Sequence, residues 1–129
     1  MNTHLALLLT EDRDFEELLT EALRESGATI LIARDVDDAL QIVCTRGAEL
    51  DLAVIDRDDC HGITLLSAIH ACRRELPVIV VTSSRDAYHC AALAYANGAT
   101  VCLAKPIASD ELALAIHELR QPKLELAAI

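Results

Sequence analysis

The sequence predicts an α/β domain: one parallel sheet with helices on both faces. Three observations carry this reading. Five short runs, Leu5–Leu9, Thr29–Ala33, Leu52–Ile55, Val78–Val81 and Val101–Ala104, are rich in Leu, Ile and Val, as strands buried on both faces are. Each run is followed by a stretch with apolar residues at helical spacing. Gly27, Gly47, Pro77, Gly98 and Pro122 punctuate the alternation.

Taken in order, Leu5–Leu9 ends in Thr10-Glu11-Asp12. Phe15, Leu18, Leu19, Ala22 and Leu23 then follow the i, i+3, i+4, i+7, i+8 pattern of an amphipathic helix, which Gly27 stops. Asp35 is suited to cap a second helix, with Val36, Ala39, Leu40, Val43 and Cys44 inward and Gly47 as its stop. Leu52–Ile55 runs into Asp56, and a turn-forming Gly62 leads to a third helix reaching about Arg74, with Leu65, Leu66, Ile69 and Cys72 inward. Arg73 and Arg74 suit its C-terminal dipole. After Val78–Val81 come Thr82-Ser83-Ser84, and Ser83-x-x-Asp86 has the form of a capping box. An Ala-rich helix runs to about Asn97. Val101–Ala104 leads to Lys105-Pro106, and Ser109 caps a last helix with Leu112, Ala115, Ile116 and Leu119 inward. One domain over residues 1–121 is expected, with 122–129 as a tail or the start of a linker.

Composition narrows the function. Trp is absent, Phe15 is the only Phe, and Tyr88 and Tyr95 are the only Tyr, so base stacking on aromatic platforms is disfavoured. The net charge of −10 opposes contact with phosphate backbones and favours cationic ligands or basic partners. The cysteines, at 44, 60, 72, 90 and 102, form no CxxC pair and are odd in number. They read as reduced thiols in a cytoplasmic protein, most of them serving as small hydrophobes. No apolar run is long enough to span a bilayer, and the N-terminus lacks the basic region of a signal peptide.

In an open α/β sheet the ligand site lies at the carboxyl ends of the strands. Glu11, Asp12, Asp56, Thr82 and Lys105 are therefore expected to converge. A carboxylate at the exit of a buried strand is costly unless something pairs with it, and three together would repel. A hard divalent cation resolves that conflict, and Mg²⁺ suits few carboxylates and several waters. Rival chemistries fit poorly. The first loop has no Gly and carries acid, which argues against phosphate or dinucleotide binding there. Asp59-Cys60-His61-Gly62 lacks the spacing of a cobalamin motif, and no motif positions a His to activate Ser83 or Ser84.

With these residues in order at four strand ends, the chain resembles the response-regulator receiver domains of two-component signalling, from Leu5 to Leu119. The matching features are an acidic pair after the first strand (Glu11-Asp12), Asp56 after the third, Thr82 after the fourth and Lys105-Pro106 after the fifth. The resemblance implies a flavodoxin-like, doubly wound sheet of order 2-1-3-4-5 with five helices. It implies that Asp56 is the phosphoacceptor, that Thr82 contacts the phosphoryl group and that Lys105 ion-pairs with it. Mg²⁺ (or Mn²⁺) would sit on Asp12, Asp56 and the backbone carbonyl of Asp58, with Glu11 acting through water, and the Lys105-Pro106 bond would be cis. The implied donor is a histidine kinase or histidine phosphotransfer protein. The protein would be no enzyme beyond this chemistry on itself, and would contact neither nucleic acid nor membrane.

Two departures from the family stand out. The loop after Asp56 is about two residues short, and Cys102 occupies the position of an aromatic switch residue that normally works with Thr82. They leave a second reading: an interaction module whose switching is weak or independent of phosphorylation.

Overall fold

Every apolar run expected to be a strand is one. In the computed structural model, which describes residues 5–24, 27–57, 60–83 and 87–120, the strands are β1 (Leu5–Leu9), β2 (Thr29–Ala33), β3 (Leu52–Asp56), β4 (Val78–Thr82) and β5 (Val101–Ala104). The helices are α1 (Arg13–Arg24), α2 (Val36–Arg46), α3 (Cys60–Cys72), α4 (Ala87–Ala96) and α5 (Ser109–Arg120). The strands form one parallel sheet in the order β2-β1-β3-β4-β5, so β2 and β5 are its edges.

Alternate strand residues face opposite layers, as a period of two requires. Leu7, Leu9, Ala53, Ile55, Val78 and Val80 pack with Ala39 and Val43 of α2, with Leu65, Leu66 and Ile69 of α3, and with Ala94 of α4. Ala6, Leu8, Leu52, Val54, Ile79 and Val81 pack with Phe15, Leu19 and Leu23 of α1 and with Leu112 and Ile116 of α5. Central strands β1, β3 and β4 are buried almost throughout, while edge strand β5 is half-exposed. This is why the central strands read as unbroken apolar runs.

The helix boundaries follow local chemistry. Asp35 caps α2 by accepting a hydrogen bond from Asp38 N–H at 2.8 Å. Gly27 and Gly98 take φ of +75° and +111°, conformations open to glycine. Several expectations fail for physical reasons. Gly47 does not end the helical path: it lies in αR conformation and opens a 3-10 turn, Gly47–Glu49. Cys44 and Cys72, expected to face inward, are exposed, while Val43 and Ile69 on the same helices are buried. Gly62 is not a turn before α3 but a buried residue within its first turn. A Cβ there would lie 2.5 Å from the carbonyl oxygen of Arg57. The Arg57 carbonyl thus lies against the start of α3, and only glycine leaves room for it. Asp86 of the expected capping box, and the tail beyond 120, lie outside the described residues.

Candidate functional site

The register of the sheet decides what stands next to Asp56. Leu9 pairs with Ile55, and Asp56 pairs with Val81. One step beyond Leu9, Thr10 lies beside Asp56. Strand parity puts both on the α1/α5 side of the sheet, in the alternation that buries Leu8 and Val54 there. Thr10 is almost fully buried. Its hydroxyl donates to Asp56 Oδ2 at 2.6 Å and accepts from Asp12 N–H at 3.0 Å.

Asp12 leaves the strand altogether and becomes the cap of α1. Its Oδ1 accepts from the N–H groups of Asp14 (3.0 Å) and Phe15 (3.3 Å), and its carbonyl accepts from Glu16 N–H. Its other oxygen, Oδ2, turns toward the pocket and meets Lys105.

Lys105 arrives from the far side. Its N–H donates to the Thr82 carbonyl at 2.8 Å, which ties the end of β5 to the end of β4, and the Lys105-Pro106 peptide is cis. Its Nζ lies 2.9 Å from Asp12 Oδ2 and 2.9 Å from Asp56 Oδ2, and 5.2 Å from the centre of the Phe15 ring. The Asp56 side chain is only 8% exposed, so the ammonium supplies the compensation that a buried carboxylate needs. The hydrogen bond from Lys105 holds the Asp12 carboxyl below its ordinary range, with help from the Phe15 N–H. Burial alone would lower the Lys105 pKa, but its bonds to Asp12 and Asp56 outweigh that and raise it. A cleft lined by Asp12, Asp14, Phe15, Leu18, Lys105 and Ile107 opens beside the ion pair.

Of the residues singled out from sequence, the pocket therefore unites Asp12, Asp56 and Lys105. Thr82 is buried at the adjoining strand end, paired with Ala104. Glu11 is exposed. Asp58, expected to offer a carbonyl to a metal, lies outside the described residues. Among the described residues no group of three or more acidic, His or Cys side chains is arranged to hold a metal ion. The register gives the place beside Asp56 to Thr10. Asp12 and Asp56 nonetheless approach the same ammonium, each at 2.9 Å, so both face one cationic position. Two carboxylates completed by waters suit Mg²⁺, so this pair fits that ion.

Thr10 was the residue least visible in the sequence. It ends an apolar run and resembles an ordinary loop threonine. Its signal is positional: it follows the apolar run Leu5–Leu9 as directly as Asp56 follows Leu52–Ile55.

Comparison with known proteins agrees with this geometry. The family profile "Response regulator receiver domain" matches residues 6–117, and the chain belongs to that family. Among solved structures, a response regulator receiver domain protein from Clostridium thermocellum is 22% identical, with a TM-score of 0.78 over 90% of this chain and 93% of that one. The receiver domain of NtrX from Brucella abortus is 28% identical, with a TM-score of 0.75 over 88% of this chain and 96% of that one. A longer chain of the same NtrX is 25% identical, with a TM-score of 0.78 over 91% of this chain but only 27% of that one. No curated protein matches. Among the described residues, no helix is long and apolar enough to cross a membrane.

Proposed function

We propose that this chain is a phosphoacceptor switch that takes a phosphoryl group onto Asp56 from the phospho-imidazole of a histidine kinase or histidine phosphotransfer protein. The observation that carries this reading is the position of Lys105 Nζ, 2.9 Å from both Asp12 and Asp56 at the carboxyl edge of the sheet. A carboxylate is a weak nucleophile, and phosphoryl transfer to it depends on in-line geometry and on neutralising the transferring oxygens. An oxygen of Asp56 forms the new bond to phosphorus as the donor's P–N bond breaks and the imidazole leaves. Lys105, released from its ground-state bonds, follows the negative charge onto the phosphoryl oxygens. The Thr82 hydroxyl, at the end of β4, supplies a neutral donor to the same oxygens.

Bound Mg²⁺ would further neutralise the phosphoryl oxygens, and Asp12 and Asp56 are the side chains that would hold it. The chain's chemistry is confined to itself, so it is a switch and not an enzyme acting on a separate substrate. A cytoplasmic setting suits Cys44, Cys72, Cys90 and Cys102, which are free thiols among the described residues. The output is a partner or a further domain, a relation made plausible by NtrX, in which the match occupies a minor part of a longer chain.

The test is labelling with acetyl phosphate and Mg²⁺, read by intact mass. One phosphoryl group is expected on the native chain and on Asp59→Asn, and none on Asp56→Asn. Equal labelling of Asp56→Asn would overturn the assignment.

A further inference from the structure

Resting on the reading of Asp56 as phosphoacceptor, we infer that Thr10 is a positioning residue for the transfer, which with Lys105 holds one oxygen of Asp56 and turns the other toward the phosphoryl donor. The Thr10 hydroxyl has one proton. Two acceptors lie within reach, Asp56 Oδ2 at 2.6 Å and the Asp12 carbonyl at 3.4 Å. The shorter contact is to a carboxylate, which can only accept, so the proton belongs to Asp56. The lone pairs face Asp12 N–H at 3.0 Å. The hydroxyl is thus fixed at both ends, in a place almost closed to water.

Lys105 Nζ approaches the same oxygen, Oδ2, at 2.9 Å. Two donors on one oxygen do two things. They stop rotation of the carboxylate about its Cβ–Cγ bond, and they engage the lone pairs of Oδ2. Oδ1, held in a fixed orientation, is the oxygen that attacks. In the transfer, a lone pair of Oδ1 forms the bond to phosphorus. The donor's bond to phosphorus breaks, and its electrons leave on acetate when acetyl phosphate is used. No proton moves at Asp56. When Lys105 shifts to the phosphoryl oxygens, Thr10 still holds Oδ2 in place.

A neutral residue here also has an electrostatic consequence. A carboxylate beside Asp56 would add a third negative charge and raise the demand for a cation. Threonine orients Asp56 without that cost.

The test compares Thr10→Val, which keeps shape and loses the hydroxyl, with Thr10→Ser, which keeps the hydroxyl. Phosphorylation by acetyl phosphate with Mg²⁺ is followed over a range of donor concentrations. Loss of one hydrogen bond to a charged oxygen corresponds to a drop of about 10- to 100-fold in the maximal rate. The apparent donor constant should stay nearly unchanged, because Thr10 touches the acceptor and not the donor. Thr10→Ser should recover the rate to within about threefold of native. A merely structural role would lower melting temperature in both variants without this pattern of loss and rescue. If Thr10→Val does not melt cooperatively, Thr10→Cys replaces it, since a thiol of similar size donates weakly. A folded Thr10→Val, or Thr10→Cys in its place, that labels at the native rate overturns the role of Thr10 while leaving Asp56 as acceptor. A native chain that takes no label overturns the phosphoacceptor reading, and this inference falls with it.

Discussion

The phenol oxygen of Tyr95 accepts a hydrogen bond from the backbone N–H of Cys102 at 3.0 Å. The ring belongs to α4 and its hydroxyl is fastened to β5, so an aromatic side chain does serve this surface, although none stands on the strand itself. Tyr95 remains half-exposed, as a ring lying over an edge would. Cys102 packs into the α2/α3/α4 side of the core, and burial raises its thiol pKa, with Cys90 adding to the effect.

Divalent cations should raise the melting temperature. An ion that binds only the folded chain stabilises it by about 1.4 kcal/mol at ten times its Kd, or about 4–7 °C for a domain of this size. Asp12→Asn removes one of the two carboxylates that converge here and should abolish the shift in differential scanning fluorimetry. Thr10→Asp, which places a third carboxylate in the pocket, should lower the Mg²⁺ concentration needed. An Asp12→Asn protein with an undiminished Mg²⁺ shift would place the ion elsewhere.

Gly62→Ala opposes two effects of known size. Alanine is the better helix former by about 1 kcal/mol. Its Cβ, however, would meet a backbone carbonyl at 2.5 Å, and relieving such overpacking costs about 1–3 kcal/mol. Because the obstacle is backbone and not the flexible end of a side chain, the clash should win. A net loss of about 1 kcal/mol in urea unfolding is expected, with slower labelling of Asp56, whose neighbour Arg57 has to move. A stabilised Gly62→Ala would show that the loop yields freely.

The ion pair sets a pH window. The Asp12 carboxyl is depressed in the folded chain, so its contribution is complete above the ordinary carboxylate value of about 3.9 and fades as pH falls through the lower folded value. Lys105 is raised, so its contribution is complete below about 10.4 and fades as pH rises through the higher folded value. Native stability should therefore exceed that of Lys105→Met across roughly pH 5–9, with the gap closing on the alkaline side as Lys105 loses its proton and narrowing on the acid side as Asp12 gains one. Urea midpoints measured from about pH 3 to about pH 11, past both ordinary values, check it. A gap constant to the alkaline limit would mean that packing of the lysine stem, and not its charge, matters.

Much of this molecule could be read in the sequence because its central strands are buried on both faces. Leu5–Leu9 and Leu52–Ile55 have no alternation to misread, and the spacing of Phe15, Leu19 and Leu23 has one helical solution. The failures share a cause: contacts across elements that no local pattern records. Thr10 became part of the site through the pairing of β1 with β3. Tyr95 reached Cys102 across the α4–β5 packing. Cys44 and Cys72 fitted an apolar spacing by type, but both lie on the open sides of their helices. In α4, Ala-rich and weakly patterned, the periodicity alone could not tell the covered side, marked by buried Ala94, from the open one carrying Leu93 and Tyr95.

The switch surface supplies the last prediction. Phosphorylation at Asp56 should draw Thr82 toward the new oxygens, and Thr82 shares its side of the sheet with Cys102: both follow the parity of Val80, which pairs with Cys102. A ligand shifts a two-state surface only by the difference in its contacts with the two states. The thiol of Cys102 is too small to exchange one large contact for another, so β5 itself should respond little. Hydrogen exchange, with and without a beryllofluoride phosphate mimic, should therefore change more at residues 83–86 than at 101–104. Tyr95→Phe removes the acceptor from Cys102 N–H and should speed exchange of that amide in both states, marking Tyr95 as a static clamp and not the moving part. Cys102→Tyr supplies a ring on the strand and should bring a response to the mimic at 101–104 that the native chain lacks. If the native chain already changes as much at 101–104 as at 83–86, and Tyr95→Phe erases that change, the helix-borne ring is itself the transmitter and the small thiol is no barrier to switching.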